Sequence, residues 1–179
     1  KTYTKQMRTG VAKAQPGQSE EGTNLARGKM CTFDPPPSYP DCTDEGDPFD
    51  LTDGIYNGCA PYAIGTVGLQ PGYGWDIEGM PISLIDIDLG DARPIGKITF
   101  DTITGSAGAG VTFPLAVQVF VSTDAKHYDL ICNMLTESVP QDKPLNHRFV
   151  SDDLKGWGRH VRFALLPGGP LMFFDEIEI

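Results

Sequence analysis

The chain has 179 residues, enough for one domain with a full core and too few for two ordinary domains. Its formal net charge is −10, and its 14 Lys and Arg are scattered along the sequence, so binding to nucleic-acid phosphates or anionic lipid is not expected. No apolar run approaches the ~20 residues that a membrane span needs, so membrane insertion is not expected either.

The first 22 residues differ in composition from the rest of the chain. They are rich in Gln, Gly, Ser, Lys and Thr, and they show neither a helical nor a strand hydrophobic period. We interpret residues 1–22 as a leader or linker and residues 23–179 as one domain.

Short segments in which apolar and polar residues alternate follow one another along the domain, separated by turn residues. The segments are SLIDIDL, GKITFDTI, PLAVQVFVST, HYDLICNML, RHVRFALL and FFDEIEI. The alternation predicts that Leu115, Val117, Val119 and Val121 share one face. It predicts the same for Tyr128, Leu130, Cys132 and Met134. No segment sustains a helical period, so we predict an all-β chain with two packed antiparallel sheets or a closed barrel.

Residues 31–82 form a long stretch with little periodic pattern, which indicates a binding region or a loop held by a metal or a disulfide. The four cysteines lack the paired CxxC spacing of a zinc site. A disulfide among Cys31, Cys42 and Cys59 is one interpretation for an exported protein, and four reduced thiols is the other. Cys132 lies in an apolar alternation and is expected to be a small buried hydrophobic residue.

Aromatic residues in loops are the candidates for ligand contact, because proteins bind sugars by stacking an aromatic ring on the sugar's C–H face. Tyr73 and Trp75 lie among glycines and prolines in QPGYGWDIEGMP, and Tyr39 lies in the proline-rich FDPPPSYPDC. Met172 and Phe173 lie at the turn before the last strand. The alternative for each is that it covers one end of the sandwich core.

The order of several motifs resembles one known family. NLARGK, LTDG, IDIDLGDARPIGKITF, VQVFVSTDAKHYDLI, RHVRF and FDEIEI follow one another from Asn24 to Ile179. This order resembles the discoidin, or coagulation factor 5/8 type C, domains, which include the family 32 carbohydrate-binding modules. The resemblance implies an antiparallel jelly-roll β-sandwich of the galactose-binding-domain-like fold.

The same resemblance implies a structural Ca²⁺ where the LTDG turn meets the last strand. Asp53 would supply a carboxylate, and Glu176 would reach the ion from the final strand. The remaining implied ligands are the backbone carbonyls of Asp50 and of Ile55 or Gly58, the side chain of Asn57, and Asp175 beside Glu176. Calcium accepts six to eight oxygens from an irregular loop, so the donor set is chemically reasonable. The alternative is that Asp53 caps its own turn.

No pattern in the sequence favours catalysis. Asp86 and Asp88 alternate outward on a predicted strand, and no GxSxG, HExxH or phosphate-binding glycine loop occurs. We therefore expect a non-catalytic carbohydrate-binding module that targets a parent enzyme or cell-surface protein to a polysaccharide or glycan. Such a module would be secreted or at the cell surface, within a larger multidomain protein. The alternative is a protein-binding adhesion domain of the discoidin type.

Overall fold

A computed structural model describes residues 22–57, 65–71, 81–105, 110–136, 139–141, 143 and 145–179. The predicted leader therefore lies almost wholly outside the described residues. The described residues contain nine strands and one helical turn. These are β1 (Cys31–Asp34), α1 (Asp47–Asp50), β2 (Val67–Leu69), β3 (Ser83–Ile95), β4 (Ile98–Thr104), β5 (Ala116–Ser122), β6 (Asp129–Leu135), β7 (Leu145–Ser151), β8 (Gly156–Leu166) and β9 (Met172–Glu178). No helix in these ranges is long and apolar enough to span a bilayer.

The strands form two antiparallel sheets packed face to face. One has five strands in the order β1-β3-β8-β5-β6, and the other has four in the order β2-β9-β4-β7. β3 and β8 pair over most of their length in the centre of the larger sheet. The prediction of an all-β antiparallel sandwich is confirmed.

Aromatic rings join the two sheets at the centre of the core. Phe100 of β4 stacks on Phe163 of β8, across the gap between the sheets, with ring centroids 5.7 Å apart. Phe174 of β9 lies 5.2 Å from Phe100, and all three side chains are fully buried. The predicted alternation on β5 is correct for Val117, Val119 and Val121, which face the same core.

Three residues of the predicted alternations face outward instead, and one of them, Tyr128, stacks on Arg162 on the outer face of the larger sheet. Leu115 precedes β5 and is 39% exposed. Leu130 of β6 is 38% exposed because the β5–β6 register shifts between Val119 and Phe120. Ile131 is the extra residue of this bulge, and one inserted residue reverses the side to which the preceding positions point.

The long stretch of residues 31–82 contains two short strands and a helical turn that its sequence did not reveal. β1 pairs with the edge of β3, and β2 pairs with β9. Each has four residues or fewer, too short for an alternation to be recognised.

The outward positions of β3 carry acidic residues, as predicted. Asp86 accepts two hydrogen bonds of 2.7 Å from Arg162, and Asp88 accepts two of the same length from Arg159. The partners lie on the neighbouring strand β8, so these carboxylates form cross-strand ion pairs.

Cys31, Cys42 and Cys132 are free thiols in the structure, and Cys59 lies outside the described residues. Cys31 and Cys42 are each 2% exposed. Burial raises the pKa of the Cys31 thiol to about 12 and that of Cys42 to about 11. Cys132 is half-buried and packs against the core, close to what was predicted. The interpretation of reduced thiols therefore describes these three cysteines.

Candidate functional site

The LTDG turn is fixed against the last strand. Leu51 is fully buried, and its carbonyl accepts a 2.7 Å hydrogen bond from the N–H of Ile177. Gly54 has φ +71°, which favours glycine, and its N–H donates to both carboxylate oxygens of Glu176 at 3.0 and 3.1 Å. The turn and Glu176 therefore meet where the sequence analysis placed them.

Glu176 carries a buried carboxyl group, and its neighbours offset only part of the cost of ionising it there. It is fully buried, and its pKa is raised to about 8, chiefly by desolvation. The Gly54 hydrogen bond opposes this rise, the charge of Asp53 adds to it, and the charge of Arg27 opposes it. The Arg27 guanidinium packs on Gly54 so closely that a Cβ on Gly54 would lie 1.2 Å from Nη1. Arg27 thus supplies a positive charge beside Glu176.

The carboxylates of Asp53 and Glu176 suit a cation, although Asp53 also accepts a local hydrogen bond. Its Oδ1 accepts a 2.7 Å hydrogen bond from the N–H of Ile55, which is the self-capped turn named above as the alternative. This bond leaves other lone pairs of Asp53 available. Glu176 likewise receives one N–H for two oxygens. If bound here, Ca²⁺ would supply the positive charge that these two carboxylates need. Gly58 lies outside the described residues.

Asn57 and Asp175 contact each other directly in the structure. Asp175 is fully buried and accepts hydrogen bonds from the backbone N–H of Asn57 at 3.0 Å, from its Nδ2 at 3.0 Å and from Nδ2 of Asn146 at 3.0 Å. These donors stabilise the carboxylate without a metal. Asp175, Asp53 and Glu176 do not form a group within metal-ligating distance among the described residues. In the structure Asn57 and Asp175 form a hydrogen-bonded pair, and their assignment to an ion stays a prediction.

Three other carboxylates do lie close enough to hold an ion. Asp44, Asp47 and Asp50 each place one oxygen within 4.8 Å of the others, and they form the one such group found among the described residues. Only Asp50 belongs to the set implied by the resemblance, and there it was assigned through its backbone carbonyl.

A polar network beside the LTDG turn was not predicted. Arg148 donates from Nε to both carboxylate oxygens of Asp101, and its guanidinium lies 4.4 Å from the ring centroid of Tyr56. The Tyr56 hydroxyl donates to Glu178 at 2.7 Å. The network joins residues 55–57 to β4, β7 and β9. Asp101 of β4 and Arg148 of β7 are cross-strand partners. The sequence alone does not show how these two strands are aligned, so the network could not be predicted from it.

An apolar cluster covers one end of the outer face of the smaller sheet. Tyr39 is half-buried, and its ring meets that of Phe173 edge-on, with centroids 5.0 Å apart. We call this set the Tyr39 cluster, and its members are Tyr39, Cys42, Ile103, Val111, Leu171 and Phe173. Its position agrees with the interpretation that Tyr39 covers an end of the sandwich, and part of the Tyr39 surface remains accessible.

The prediction that Met172 and Phe173 lie in an exposed turn is wrong. Both side chains are fully buried. Met172 faces the core between the sheets, and Phe173 lies beneath Tyr39 on the opposite face of β9. Because the strand is covered on both faces, neither side chain offers surface to a ligand.

Of the three predicted loop aromatics, only Tyr39 belongs to the described residues, and Tyr73 and Trp75 lie outside them. The N–H of Ser38 donates to the carbonyl of Gly68 at 3.2 Å, so the Tyr39 loop packs along β2.

No protein-family model and no curated protein matches the sequence. Solved structures match over most of the chain. One is the module CpGH89CBM32-5 from Clostridium perfringens, in complex with GalNAc-β-1,3-galactose, with TM-score 0.58 and 17% identity over 87% of this chain and 98% of that one. Another is the lectin domain of lectinolysin complexed with Lewis b antigen, with TM-score 0.60 and 15% identity over 88% and 96%. This chain has the fold of the family 32 carbohydrate-binding modules.

A further match shows the family 32-like fold within a longer protein. SpGH29 matches with TM-score 0.56 and 14% identity over 87% of this chain, but over only 27% of its own length. The fold therefore also occurs as part of a much larger chain.

Proposed function

We propose that this chain is a non-catalytic carbohydrate-binding module of a larger secreted or cell-surface protein. The observation that carries the proposal is the match over nearly the whole domain to modules solved in complex with glycans. The fold alone does not fix function, so the proposal also depends on a suitable surface.

The Tyr39 end of the sandwich is the surface we assign to the glycan. Tyr39 is held by Phe173 beneath it, so its ring is already ordered before a ligand arrives. Tyr73 and Trp75 are the other loop aromatics that the sequence offers, and in this proposal they complete the stacking platform for a sugar. A shallow site of this kind gives weak binding, with Kd on the order of 10 µM to 1 mM, and a multivalent parent protein would strengthen it.

Calcium has a structural part in this proposal. A Ca²⁺ bound by Asp53 and Glu176 would hold the LTDG turn on β9, away from the Tyr39 end. We therefore expect calcium removal to lower stability and to leave the affinity of the folded protein for a glycan unchanged.

Affinity electrophoresis against a broad polysaccharide panel, followed by a glycan array, tests the proposal. We expect the wild type to be retarded by at least one glycan, and Trp75→Ala, Tyr73→Ala or Tyr39→Ala to weaken that binding at least tenfold. Tyr128→Ala is the matched control, because Tyr128 stacks on Arg162 of the larger sheet, whereas the Tyr39 cluster lies on the smaller sheet. Unchanged binding by all three variants would place the platform elsewhere. Failure of the wild type to bind any glycan would favour the protein-binding alternative.

A further inference from the structure

The segment between β1 and the LTDG turn gathers three carboxylates at one point. Asp44, Asp47 and Asp50 are spaced three residues apart along a loop that ends in α1, so they project from one side of this single turn. Gly46 lies between two of them. A Cβ on Gly46 would be 2.9 Å from Oδ1 of Asp44 and 2.9 Å from Oδ1 of Asp50, so a side chain there would push these carboxylates from their present positions.

A second observation is independent of this clustering. Asp47 is only 5% exposed, and its Oδ1 is buried without a hydrogen-bond partner. Oδ2 of Asp50 is buried and unpartnered as well. Buried carboxylate oxygens in a folded protein are normally paired or coordinate a metal, because the loss of hydration is costly.

Within the described part of the chain, no ion pair compensates the three charges. The ion pairs found there involve Asp86, Asp88, Asp101, Asp124 and Glu178, and none involves this cluster. The pKa of Asp47 is raised to about 6, chiefly by burial; a backbone hydrogen bond from Asp44 opposes the rise, and the charges of Asp50 and Asp44 add to it. Burial and the charges of Asp44 and Asp53 also raise the pKa of Asp50.

The distances suit a calcium ion. Oxygens bound to one Ca²⁺ at about 2.4 Å are about 3.4 Å apart when adjacent and about 4.8 Å apart when opposite. One oxygen from each of the three residues lies within 4.8 Å of the others. Three carboxylates provide three to six oxygens, and water can complete a shell of six to eight. Calcium tolerates such an irregular arrangement, whereas magnesium requires near-ideal octahedral geometry.

We propose that Asp44, Asp47 and Asp50 bind a Ca²⁺ ion at a site separate from the one that the resemblance implies at Asp53 and Glu176. The ion fixes the loop that connects β1 to the LTDG turn. This site does not depend on the proposed glycan binding, and either can be absent without the other.

Equilibrium dialysis of the metal-free protein against radioactive Ca²⁺, at neutral pH and physiological salt, tests this site. Asp47→Asn keeps the shape of the side chain and removes its charge, so we expect one fewer calcium per chain than in the wild type. Asp44→Asn is a milder variant, because Asn can still accept the hydrogen bond that Asp44 receives from Gly46. It should weaken the same site at least tenfold. Glu176→Gln should leave this site occupied.

Asp41→Asn is the matched control, because Asp41 is an exposed carboxylate in the same loop and outside the cluster. It should bind as much calcium as the wild type. The site is excluded if Asp47→Asn and Asp44→Asn both retain the wild-type number of calcium ions and the wild-type affinity. It is also excluded if Asp41→Asn lowers binding as much as they do, because the effect would then be a general response to negative charge.

Discussion

The carboxylate of Glu176 illustrates how one residue can depend on a distant turn. Its two oxygens share the N–H of Gly54, which lies 122 positions earlier in the chain. The side chain is fully buried, and the nearby charges of Asp53 and Arg27 act in opposite directions on its pKa. Without a bound cation, the carboxyl group of Glu176 in the folded protein is therefore mainly protonated at any pH below about 8.

This preference predicts how the stability of the metal-free protein depends on pH. The pKa of Glu176 is about 8 in the folded protein and near 4.5 when unperturbed, so the folded state binds the proton more tightly. The resulting stabilisation is complete below pH 4.5 and is lost as the pH rises through about 8. In EDTA, we expect the Tm of the wild type to fall from pH 5 to pH 8.5 by more than that of Glu176→Gln.

Thermal unfolding of both proteins across this range, with and without millimolar Ca²⁺, provides the measurement. Calcium should raise the Tm of the wild type most at the alkaline end, where Glu176 is ionised, and should do so less in Glu176→Gln. The pKa of Asp47 is also raised in the folded protein, to about 6, so Asp47 lowers stability as well when the pH rises. Both proteins contain Asp47, so it does not contribute to the difference between them. Parallel pH profiles for the two proteins would contradict the role given to Glu176.

At the scale of elements, close approach of strands explains why particular glycines occur in β8. Gly158 is buried, and a Cβ there would lie 3.0 Å from the carbonyl oxygen of Ser122 and 3.0 Å from Cβ of Val121. Both neighbours belong to the adjacent strand β5. Backbone cannot move aside as easily as the end of a flexible side chain, so an added Cβ requires β5 and β8 to shift by a few tenths of an ångström.

We therefore expect Gly158→Ala to destabilise the protein by about 1–3 kcal/mol, the usual cost of overpacking. Gly96→Ala is the matched control, because Gly96 lies in the turn between β3 and β4, where an added Cβ would meet nothing within 4 Å. It should change stability by no more than about 0.5 kcal/mol. Urea unfolding of both variants measures the difference, and equal losses would show that the β5–β8 contact is not the cause.

The sequence predicted the strands in which apolar and polar residues alternate over several positions. It missed the features that depend on contacts with distant parts of the chain. Val117 and Val119 were placed on the correct face of β5, whereas Leu130 was not, because a bulge leaves no local signal. Phe173 was expected to be exposed because nothing in the sequence shows that the Tyr39 loop covers it. The meeting of the LTDG turn with Glu176 followed from the family resemblance. The sequence alone did not show that Asp44, Asp47 and Asp50 lie together, because this depends on the three-dimensional path of the loop.

The whole molecule depends on contact between two sheets that share no strand. Phe100 provides much of this contact, because it stacks on Phe163 of the other sheet and packs against Phe174 of its own. A domain of this kind is stable by about 5–15 kcal/mol, so a single central ring contributes a large part of the margin.

Replacing Phe100 by Ala should lower the free energy of unfolding by about 3–5 kcal/mol, through lost burial and the cavity that remains. Val150→Ala is the control, because Val150 is 51% exposed on β7, the neighbour of β4. We expect the control to lose no more than about 0.5 kcal/mol. Chemical denaturation followed by circular dichroism measures both. A loss below about 1 kcal/mol for Phe100→Ala would mean that the sheets are joined mainly elsewhere.

Residues 24 and 25 lie beside residue 179, so a tether attached near either position would leave the domain at the same place. The N–H of Leu25 donates to the carbonyl of Ile179 at 2.6 Å, and the N–H of Ile179 donates to Oδ1 of Asn24 at 3.3 Å. β9 separates this point from the Tyr39 cluster by its seven residues, or roughly 20 Å. Any tether attached at either position therefore leaves from the end opposite the proposed glycan platform. A force that pulls on a bound glycan would then act parallel to the strands. It would have to shear many backbone hydrogen bonds between neighbouring strands at the same time.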